Sequence, residues 1–462
     1  MLEVPMMPRH ALMIVTILLL PLAANAGAPP APAAAPAAAR AATAAPASKI
    51  VINADGVLEI GDPPAKIFLI GFIMPPQPEA KAPWGINGID ELSAAGATFI
   101  RTGIIGPNSR WNDLAIERER KWQDAAARNN MHCLVGLRYA GSVEDAKPEN
   151  ERDLRRVIET FKDHPGMGAY YGVDEPEWGK HPVEPMERAY KIIKELDPNH
   201  PVWICQAPRG SVASMKRYDH CGDATGGDIY PISYPPGLHV LPTAKDVPPQ
   251  LAANSDISLA GDFTRMMMEV ADNPRDPRGK KPVWMCLQIS WSGVNNPGRT
   301  LRFPTFFEQR FMTYQTIING ARGIIYFGGS NTPSLSDDDK PFAWNWRYWQ
   351  RVLRPIVEEI GTKSPLYPAL VAPDATPKIP LKLEGSGIEY CLRETDTEIF
   401  LLACRRDHAT TEVKFIGLPA PDQTSELLFE SPRKVELKNG TFADWFAPFE
   451  VHVYRFSKSK GN

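Results

Sequence analysis

GAYYGVDEP, at residues 168–176, is an apolar run that ends abruptly in two carboxylates and a proline. Carboxylates are costly to place at the end of a buried strand for packing alone, but in a barrel of parallel strands that end is where catalytic residues lie. If the rest of the chain forms such a barrel, Glu175 is a candidate proton donor and Asp174 its neighbour in the mechanism. The alternative is a helix start, with Asp174 as N-cap and Pro176 in the first turn.

Short apolar runs alternate with helix-like segments from residue 67 onward. Eight such runs lie at 67–72, 98–102, 132–137, 168–173, 202–206, 226–230, 283–288 and 323–327, with helical periodicity at 114–129, 150–163, 185–196 and 306–319. Continuous apolar strands indicate burial on both faces, as in a parallel sheet. Eight strand–helix units predict an α/β fold, a closed (β/α)8 TIM barrel. An open doubly wound sheet is the alternative, although no dinucleotide-binding glycine pattern is present.

The barrel is predicted to span residues 49–372 and to be flanked by β structure. Residues 49–62 form a short N-terminal hairpin around the turn dipeptide Asp55-Gly56. From residue 373 to 456, short strand-like segments separated by turn residues predict a small all-β, sandwich-like C-terminal domain, and residues 457–462 form a tail. The strands of this domain are predicted at 389–393, 398–404, 412–415, 426–429, 434–437 and 450–456.

The N-terminus has the pattern of an export signal. Arg9 and His10 precede an apolar run at 11–22, and the small residues Ala24 and Ala26 offer a cleavage site, so residues 1–26 are predicted to be removed. The run is shorter than the ~20 apolar residues that span a membrane, so no membrane insertion is expected after cleavage. Residues 27–48, nearly all Ala and Pro, are typical of a linker. The sequence thus predicts a secreted or periplasmic protein.

Composition narrows the possible partners. A net charge of -3 gives no reason to expect nucleic acid or an anionic membrane as a partner, and the oligomeric state stays open. Cysteines 133, 205 and 286 lie in apolar runs that favour buried free thiols, and Cys205–Cys221 is the one pair that could form a disulfide. No Cys/His spacing fits zinc, so neither a metal nor a cofactor is expected.

Other strand ends supply further candidate residues. Arg101 ends the second run and could bind a carboxylate through a bidentate contact, or could serve in an ion pair. Asp228 and Tyr230 alternate near the end of the sixth run and therefore share a face. Asp228 is then a second acid or a hydroxyl binder, unless it makes turn hydrogen bonds. Gln288 and Tyr326, near the ends of the seventh and eighth runs, are predicted to face the same cavity.

Aromatic residues in the loops indicate the kind of substrate. Flat apolar rings beside polar groups suit the faces of sugars, whereas packing between loops is the alternative for any one ring. Tyr139, Trp178 and Trp291 are predicted to bind a carbohydrate substrate. The tryptophans that follow strands, and so gather at one end of a barrel, are Trp84, Trp111, Trp178, Trp291, Trp344 and Trp346.

With these residues in place, the chain resembles the clan A glycoside hydrolases and related barrel glycosidases. The resemblance covers about residues 49–456 and implies that Glu175 is the general acid/base and that Arg101 organises the site. Together with the export signal, it predicts an exported enzyme that cleaves an oligo- or polysaccharide. The matching features are the hairpin before IFLIGF (67–72), FIR (99–101), the acid after strand four, KPVW (281–284) and FAPFEVHVY (446–454).

Two positions depart from that clan. Asp174 stands where the clan usually has Asn, and Leu287-Gln288 stand where it has a nucleophilic Glu. The adjacent Asp174-Glu175 pair resembles N-acetylhexosaminidases in which the acetamido group of the substrate is the nucleophile, Asp orients it and Glu is the acid/base. A retaining or inverting mechanism with an Asp228–Glu175 pair stays open at this point, as does a non-catalytic carbohydrate-binding barrel.

Overall fold

The structure is a computed structural model that describes residues 49–106, 109–232, 257–273, 279–290 and 302–458. The predicted export signal, the Ala/Pro linker and Trp291 lie outside these residues. Within the described part of the chain, we find no helix with the length and apolar character needed to cross a membrane.

A three-stranded antiparallel sheet precedes the barrel. It consists of β1 (Ile50–Ile52), β2 (Leu58–Ile60) and β3 (Ala65–Ile67), in that order. The predicted hairpin is therefore present, with a third strand added. The backbone N–H of Ile50 donates to the carbonyl of Asn199, just before a barrel strand begins, at 3.0 Å. This contact places the sheet at the amino ends of the barrel strands.

Eight parallel strands close into a barrel, as predicted. Each strand pairs with the next in the chain, and the last pairs with the first. The predicted bounds agree to within about two residues, because continuous apolar runs mark strands that are buried on both faces. The strands are β4 (Leu69–Ile73), β5 (Phe99–Gly103), β6 (His132–Gly136), β7 (Met167–Asp174), β8 (Val202–Gln206), β9 (Ala224–Ile229), β10 (Trp284–Gln288) and β11 (Gly323–Phe327).

Helices surround the barrel and follow its strands. Three of the helices at predicted positions, those beginning at Asp113, Pro148 and Val183, bury one face against the sheet and leave the other in solvent, whereas the helix that begins at Phe306 is buried throughout residues 309–318. The helices are α1 (Gly88–Ala95), α2 (Asp113–Arg128), α3 (Pro148–Phe161), α4 (Val183–Leu196), α5 (Val212–Lys216), α6 (Leu259–Ala271), α7 (Phe306–Ile318), α8 (Trp346–Tyr348), α9 (Arg354–Ile360) and α10 (Tyr367–Leu370).

Alternation along each strand divides its residues between two packing layers. The outward layer packs against the helices, as Ile100 and Tyr170 do. The inward layer fills the barrel interior, and the members named below are at most 4% exposed. They are Leu69, Phe99, Leu134, Ala169, Tyr171, Trp203, Ala224, Trp284 and Ile325. The barrel is thus a packed core whose inward-facing positions continue upward into the mouth.

The C-terminal region is all-β, as predicted. It forms two three-stranded antiparallel sheets, with strands in the order 382–384, 411–416, 441–446 and 388–394, 398–405, 451–457, and a two-stranded sheet of 423–426 and 434–437. The prediction missed the strands at 382–384 and 441–446, and it placed the strand at 423–426 three residues too late. The strands are β12 (Lys382–Glu384), β13 (Ile388–Glu394), β14 (Glu398–Arg405), β15 (Thr411–Ile416), β16 (Gln423–Glu426), β17 (Lys434–Leu437), β18 (Thr441–Phe446) and β19 (Val451–Ser457).

Charged contacts join these sheets to the barrel helices. Arg310 on α7 donates to the carbonyl of Val451 at 3.0 Å and pairs with Glu359 at 2.8 Å. Arg265 on α6 pairs with Glu389 on β13 at 2.7 Å. Because these side chains are largely buried, loss of one partner would leave an uncompensated buried charge, so the contacts fix how the β region packs against the barrel.

All six cysteines are buried free thiols. The Cys205–Cys221 disulfide is therefore not formed. Cys205 lies on β8 and faces the barrel interior, whereas Cys221 lies in a short 3-10 turn among the helix-facing residues. The two thiols belong to different packing layers, so they do not meet although they are close in sequence.

Candidate active site

A cavity of roughly 210 Å³ opens at the carboxyl ends of the barrel strands. It contains five of the residues predicted for the site: Arg101, Asp174, Glu175, Asp228 and Tyr230. Its other described lining residues are Ile73, Met74, Ile105, Arg138, Tyr171, Cys205, Cys286 and Phe327. This volume is below the ~300–1,000 Å³ of typical pockets for drug-sized ligands, so the described cavity suits one sugar ring rather than a long chain.

A bulge in β7 aims Asp174 into this cavity. Tyr171 pairs with Trp203 and Asp174 pairs with Cys205, so β7 uses one more residue than β8 between the two pairs. Simple alternation after Tyr171 would turn Val173 inward, but Val173 packs among the helix-facing residues. The extra residue therefore reverses which side chains face inward, so the Asp174 carboxylate points into the mouth of the barrel.

No helix begins at Glu175 or Pro176. The next helix, α4, starts at Val183 with Pro182 as its N-cap, so the helix-start interpretation of the Asp-Glu-Pro sequence is wrong. The chain instead makes a turn in which the Glu175 N–H donates to the carbonyl of Cys205 at 2.9 Å. The two carboxylates are thus positioned by a barrel strand and its neighbour.

Three residues in the wall of the cavity have left-handed backbone conformations. Their φ angles are 59° at Met74, 53° at Arg138 and 45° at Glu175, and each residue follows a different barrel strand. A non-glycine residue in this region costs about 1–3 kcal/mol and persists only where the surroundings enforce it. Such strain concentrates at binding and catalytic sites, and here it turns three side chains toward one space.

Glu175 and Asp228 form a hydrogen-bonded carboxyl pair. Asp228 projects inward from β9 and is only 9% exposed. Burial, followed by the charges of Glu175 and Asp174, raises the pKa of Asp228 well above its usual value. Burial and the charge of Asp174 also raise the pKa of Glu175. The hydrogen bond itself raises the pKa of Asp228 and opposes the rise at Glu175, so Asp228 holds the proton of the pair and donates it to Glu175. The two carboxyl groups titrate as a unit.

Asp174 is held by two donors, one on each of its carboxylate oxygens. Arg138 donates from Nη1 to Oδ2 at 2.8 Å, and the Tyr171 hydroxyl donates to Oδ1. Arg138 is itself fixed by donating from Nη2 to the carbonyl of Ile105 at 2.6 Å. These two hydrogen bonds fix the position of the Asp174 carboxyl group beside Glu175.

Arg101 is buried at the wall of the cavity without a hydrogen-bonded partner among the described residues. It is 4% exposed, and neither Nε nor Nη1 finds an acceptor there. Its guanidinium lies over the Tyr171 ring, 5.4 Å from the ring centre. Burial lowers the pKa of Arg101, opposed by Tyr171 and Asp174. The predicted ion pair at this position is not formed within the described chain.

Two predicted site residues face elsewhere. Tyr326 lies on the outward face of β11 and its hydroxyl meets Thr313 on α7 at 2.9 Å, because Ile325 and Phe327 take the inward positions. Gln288 is fully buried, and its amide bonds both backbone groups of Ile232, at 2.7 and 2.8 Å. Both were wrongly placed in the cavity, since the end of a strand does not determine the direction of a side chain.

The predicted aromatic rim is largely a packing cluster. Trp111, Trp344 and Trp346 are each 1% exposed, while Trp84 is 37% and Trp178 53% exposed. Most of these rings therefore pack between loops, as the alternative interpretation of each ring has it. Their apolar area is too large to leave in water when loops can cover it.

Trp178 and Tyr139 do not line the described cavity. The Arg209 guanidinium stacks over Trp178 at 4.4 Å from the ring centre. The Tyr139 hydroxyl donates to Asp153 at 2.6 Å and accepts from the backbone of Trp111 at 2.8 Å, so it fastens two loops together. A role for Tyr139 and Trp178 in substrate binding stays a prediction.

The sequence interpretation missed Arg138, Tyr171, Cys205 and Cys286. Arg138 could have been found, because it is a charged residue directly after the apolar run at 132–137. The two thiols form part of the cavity wall, and burial raises the pKa of both well above the usual value. They are therefore neutral and poor nucleophiles.

A larger cavity lies away from the strand ends. It has a volume of roughly 580 Å³ and is formed by α7 and the C-terminal β region, with Phe307, Phe429 and Phe449 in its wall. Size alone does not make it a catalytic site, because the buried carboxyl pair lies in the smaller cavity. The described residues contain no group of three or more His, Cys, Asp and Glu side chains that could hold a metal ion.

Solved glycoside hydrolases share this fold. A glycoside hydrolase family 5 structure from Bacteroides vulgatus ATCC 8482 matches with a TM-score of 0.58 and 11% identity, covering 90% of this chain and 94% of that chain. Another glycoside hydrolase matches with a TM-score of 0.54 and 11% identity, covering 90% of this chain and 98% of that chain. An Anoxybacillus alpha-amylase matches with a TM-score of 0.51 and 13% identity, covering 86% of this chain and 99% of that chain. No family model and no curated protein matches the sequence. These likenesses confirm the barrel with a C-terminal β region.

Proposed function

We propose that this protein is an exported glycoside hydrolase that cleaves an oligo- or polysaccharide with Glu175 as general acid/base. One observation supports this most strongly: Glu175 and Asp228 share a hydrogen bond in the mouth of the barrel. The mouth at the strand ends is where enzymes of this fold carry out catalysis. The export signal predicted at residues 1–26 is the basis for placing the enzyme outside the cytoplasm.

The carboxyl pair supplies the proton that cleavage of a glycosidic bond needs. A leaving alkoxide is a poor leaving group, so an acid must protonate the bridging oxygen as the bond breaks. The raised pKa of Glu175 keeps that proton available closer to neutral pH. Asp228 is the more buried of the two and holds the shared proton, so it passes that proton to Glu175, which contacts the substrate.

The second requirement is a group that stabilises the positive charge developing on the sugar. Retaining and inverting pairs stand about 5–5.5 Å and 6.5–9.5 Å apart, respectively, both too far for a direct hydrogen bond. The contact between Glu175 and Asp228 therefore favours a role for Asp228 in tuning the acid. Asp174, fixed by Arg138 and Tyr171, is the carboxylate left for the sugar.

Substrate assistance is the mechanism that this arrangement favours. The end of β10 offers only Leu287, which faces the helices, and Gln288, which is bound to Ile232. An acetamido group of the substrate would then attack the anomeric carbon, with Asp174 orienting it and Glu175 protonating the leaving oxygen. The glycosidic bond breaks as the new ring bond forms, and water later opens that ring.

A panel of polysaccharides and aryl glycosides, with and without acetamido groups, tests the proposal. We expect the wild-type protein to release reducing ends from at least one of the polysaccharides, and the Glu175→Gln variant to bind the same polysaccharide while its kcat falls about 10²–10⁴-fold. Glu177→Gln is the matched control, since Glu177 lies in the same turn but pairs with Lys180. Binding without turnover by the wild type would indicate a carbohydrate-binding barrel and contradict the proposal.

A further inference from the structure

A second cavity adjoins the catalytic one. Its volume is roughly 200 Å³, and it shares Met74, Arg101 and Ile105 with the catalytic cavity. Arg101 therefore forms part of the wall of both. A substrate that places one sugar ring beside Glu175 can extend a substituent or a neighbouring ring into this second space, which we call the side cavity.

The side cavity differs from the catalytic one in charge. Among its described lining residues are Arg101 and Arg118 but no carboxylate, whereas the catalytic cavity contains three carboxylates. The remaining described polar side chains in its wall are those of Gln77, Thr102, Ser109 and Ser330. Two guanidinium groups without a carboxylate produce a positive potential that attracts anions.

Arg101 in particular has unfilled hydrogen-bonding capacity. The two carboxylates nearest to it are already engaged: Asp174 by Arg138 and Tyr171, and Glu119 by Thr102, Gln123 and the backbone of Gly103. Burial of a guanidinium with unpaired N–H groups costs more free energy than burial of an unpaired neutral donor. An acceptor that enters with the ligand removes this cost.

The fold makes room for the guanidinium at this position. Gly136 at the end of β6 lies against Arg101, and a Cβ on Gly136 would overlap the Arg101 guanidinium. Glycine is therefore required here for the close approach of a side chain, with no unusual backbone angle involved. Arg101 is held in its buried position by the shape of the barrel mouth, and this pre-organises it for binding.

We propose that the substrate carries an anionic group, a carboxylate or a sulfate, and that Arg101 and Arg118 bind this group in the side cavity. This inference rests on the proposed glycosidase function and names its substrate class as acidic sugars. Guanidinium groups bind planar or multidentate oxyanions through paired N–H donors. Arg118 is exposed on α2, so it can close over the anion after Arg101 has bound it.

Binding of free sugars, which have no glycosidic bond to cleave, to the Glu175→Gln variant tests the inference without any need for turnover. The probes are glucuronate, glucose 6-sulfate and glucose, titrated calorimetrically at one ionic strength maintained with sodium chloride. We expect glucuronate or the sulfate to bind more tightly than glucose, and adding Arg101→Gln to weaken anion binding about ten- to hundredfold, the effect of losing a charged hydrogen bond. The two anionic probes separate a carboxylate site from a sulfate site.

Two further variants guard against a simple loss of folding. Gly136→Ala displaces the Arg101 guanidinium while leaving its charge in the protein, and it should also weaken binding of the anion. Arg110→Gln is the control, because Arg110 is an exposed arginine nearby that stacks on Tyr139 at 4.2 Å and lies outside both cavities. It should leave the affinity unchanged.

Equal affinities for glucose and both anions would overturn the inference, as would anion binding that survives Arg101→Gln. Neither result affects the glycosidase proposal, which depends on hydrolysis by the wild type. Conversely, the absence of hydrolysis would contradict the proposed function, while these titrations would still show whether the side cavity binds anions.

Discussion

Glu175 and Asp228 meet through their carboxyl groups, although one follows β7 and the other lies on β9, with β8 between them. The contact requires both a turn with a left-handed Glu175 and an inward-facing Asp228 two residues before Tyr230. Two carboxyl groups this close cannot both ionise without strong repulsion, so one proton stays on the pair. Protonation of the leaving oxygen by Glu175 depends on that proton.

Removal of the charge on Asp174 should change the pH range of activity. Asp174 is one of the causes of the raised pKa of Glu175, second to burial. The acid must be protonated to act, so activity falls as pH rises through its pKa. Asp174→Asn should lower that pKa and move the alkaline limb of the kcat/KM profile to lower pH. An alkaline limb that stays in place would show that Glu175 does not set it.

The Tyr171 hydroxyl should matter for rate more than for folding. Tyr171→Phe removes its hydrogen bond to Asp174 but keeps the ring, which lies 4.6 Å from that of Trp203. The loss of a hydrogen bond to a charged group should reduce kcat by about ten- to a hundredfold. The neighbouring Tyr170 is the control, since its hydroxyl bonds Asp197 at 2.7 Å on the outer face. Tyr170→Phe should reduce thermal stability and leave kcat unchanged; the reverse pattern would contradict the assignment.

Closure of the barrel depends on Gly226 in β9. A Cβ at Gly226 would overlap the carbonyl oxygen of Trp284 and lie 2.8 Å from Trp203 Nε1. Gly226→Ala should lower the free energy of unfolding by more than about 4 kcal/mol, the range of severe core disruption. At Gly71 in β4 the nearest atoms are 3.4 Å away, so Gly71→Ala should be tolerated. Urea unfolding of both variants checks this, and equal midpoints would argue against the barrel packing described.

Glu119 should make stability depend on pH. Burial raises its pKa to about 7, although hydrogen bonds from Thr102, Gln123 and Gly103 oppose the shift. The folded protein therefore retains a proton that the unfolded chain loses near pH 4.5. The associated stability is present below that pH and disappears as pH rises through 7, by about 3 kcal/mol. In Glu119→Gln, unfolding free energies measured from about pH 4.5 to 8 should lack this decrease; a parallel decrease would assign it to another group.

The strands and several site residues could be predicted because their patterns are local. Continuous apolar runs indicated the eight barrel strands, and the ends of those runs indicated Glu175, Asp174 and Arg101, all of which line one cavity. The alternation of Asp228 and Tyr230 indicated their common face. These patterns predict the site because a parallel barrel buries both faces of each strand, and because the carboxyl ends of all eight strands meet at one mouth.

The remaining features depend on contacts that sequence separation does not reveal. Tyr326 was misplaced because the inward positions of β11 belong to Ile325 and Phe327. Gln288 was misplaced because its amide is used by the backbone of Ile232. The facing of Asp174 depends on a bulge relative to β8 that local pattern does not show. Each of these outcomes is set by a partner strand or loop.

The most direct test of the central claim is the leaving-group dependence of Glu175→Gln. A general acid matters most when the departing oxygen is strongly basic, and its removal should reduce kcat on an unactivated glycoside by about 10²–10⁴-fold. On an activated aryl glycoside, whose leaving group needs no proton, the same variant should cleave at close to the wild-type rate in the bond-breaking step. Equal losses on both substrates, or none on either, would contradict Glu175 as the proton donor.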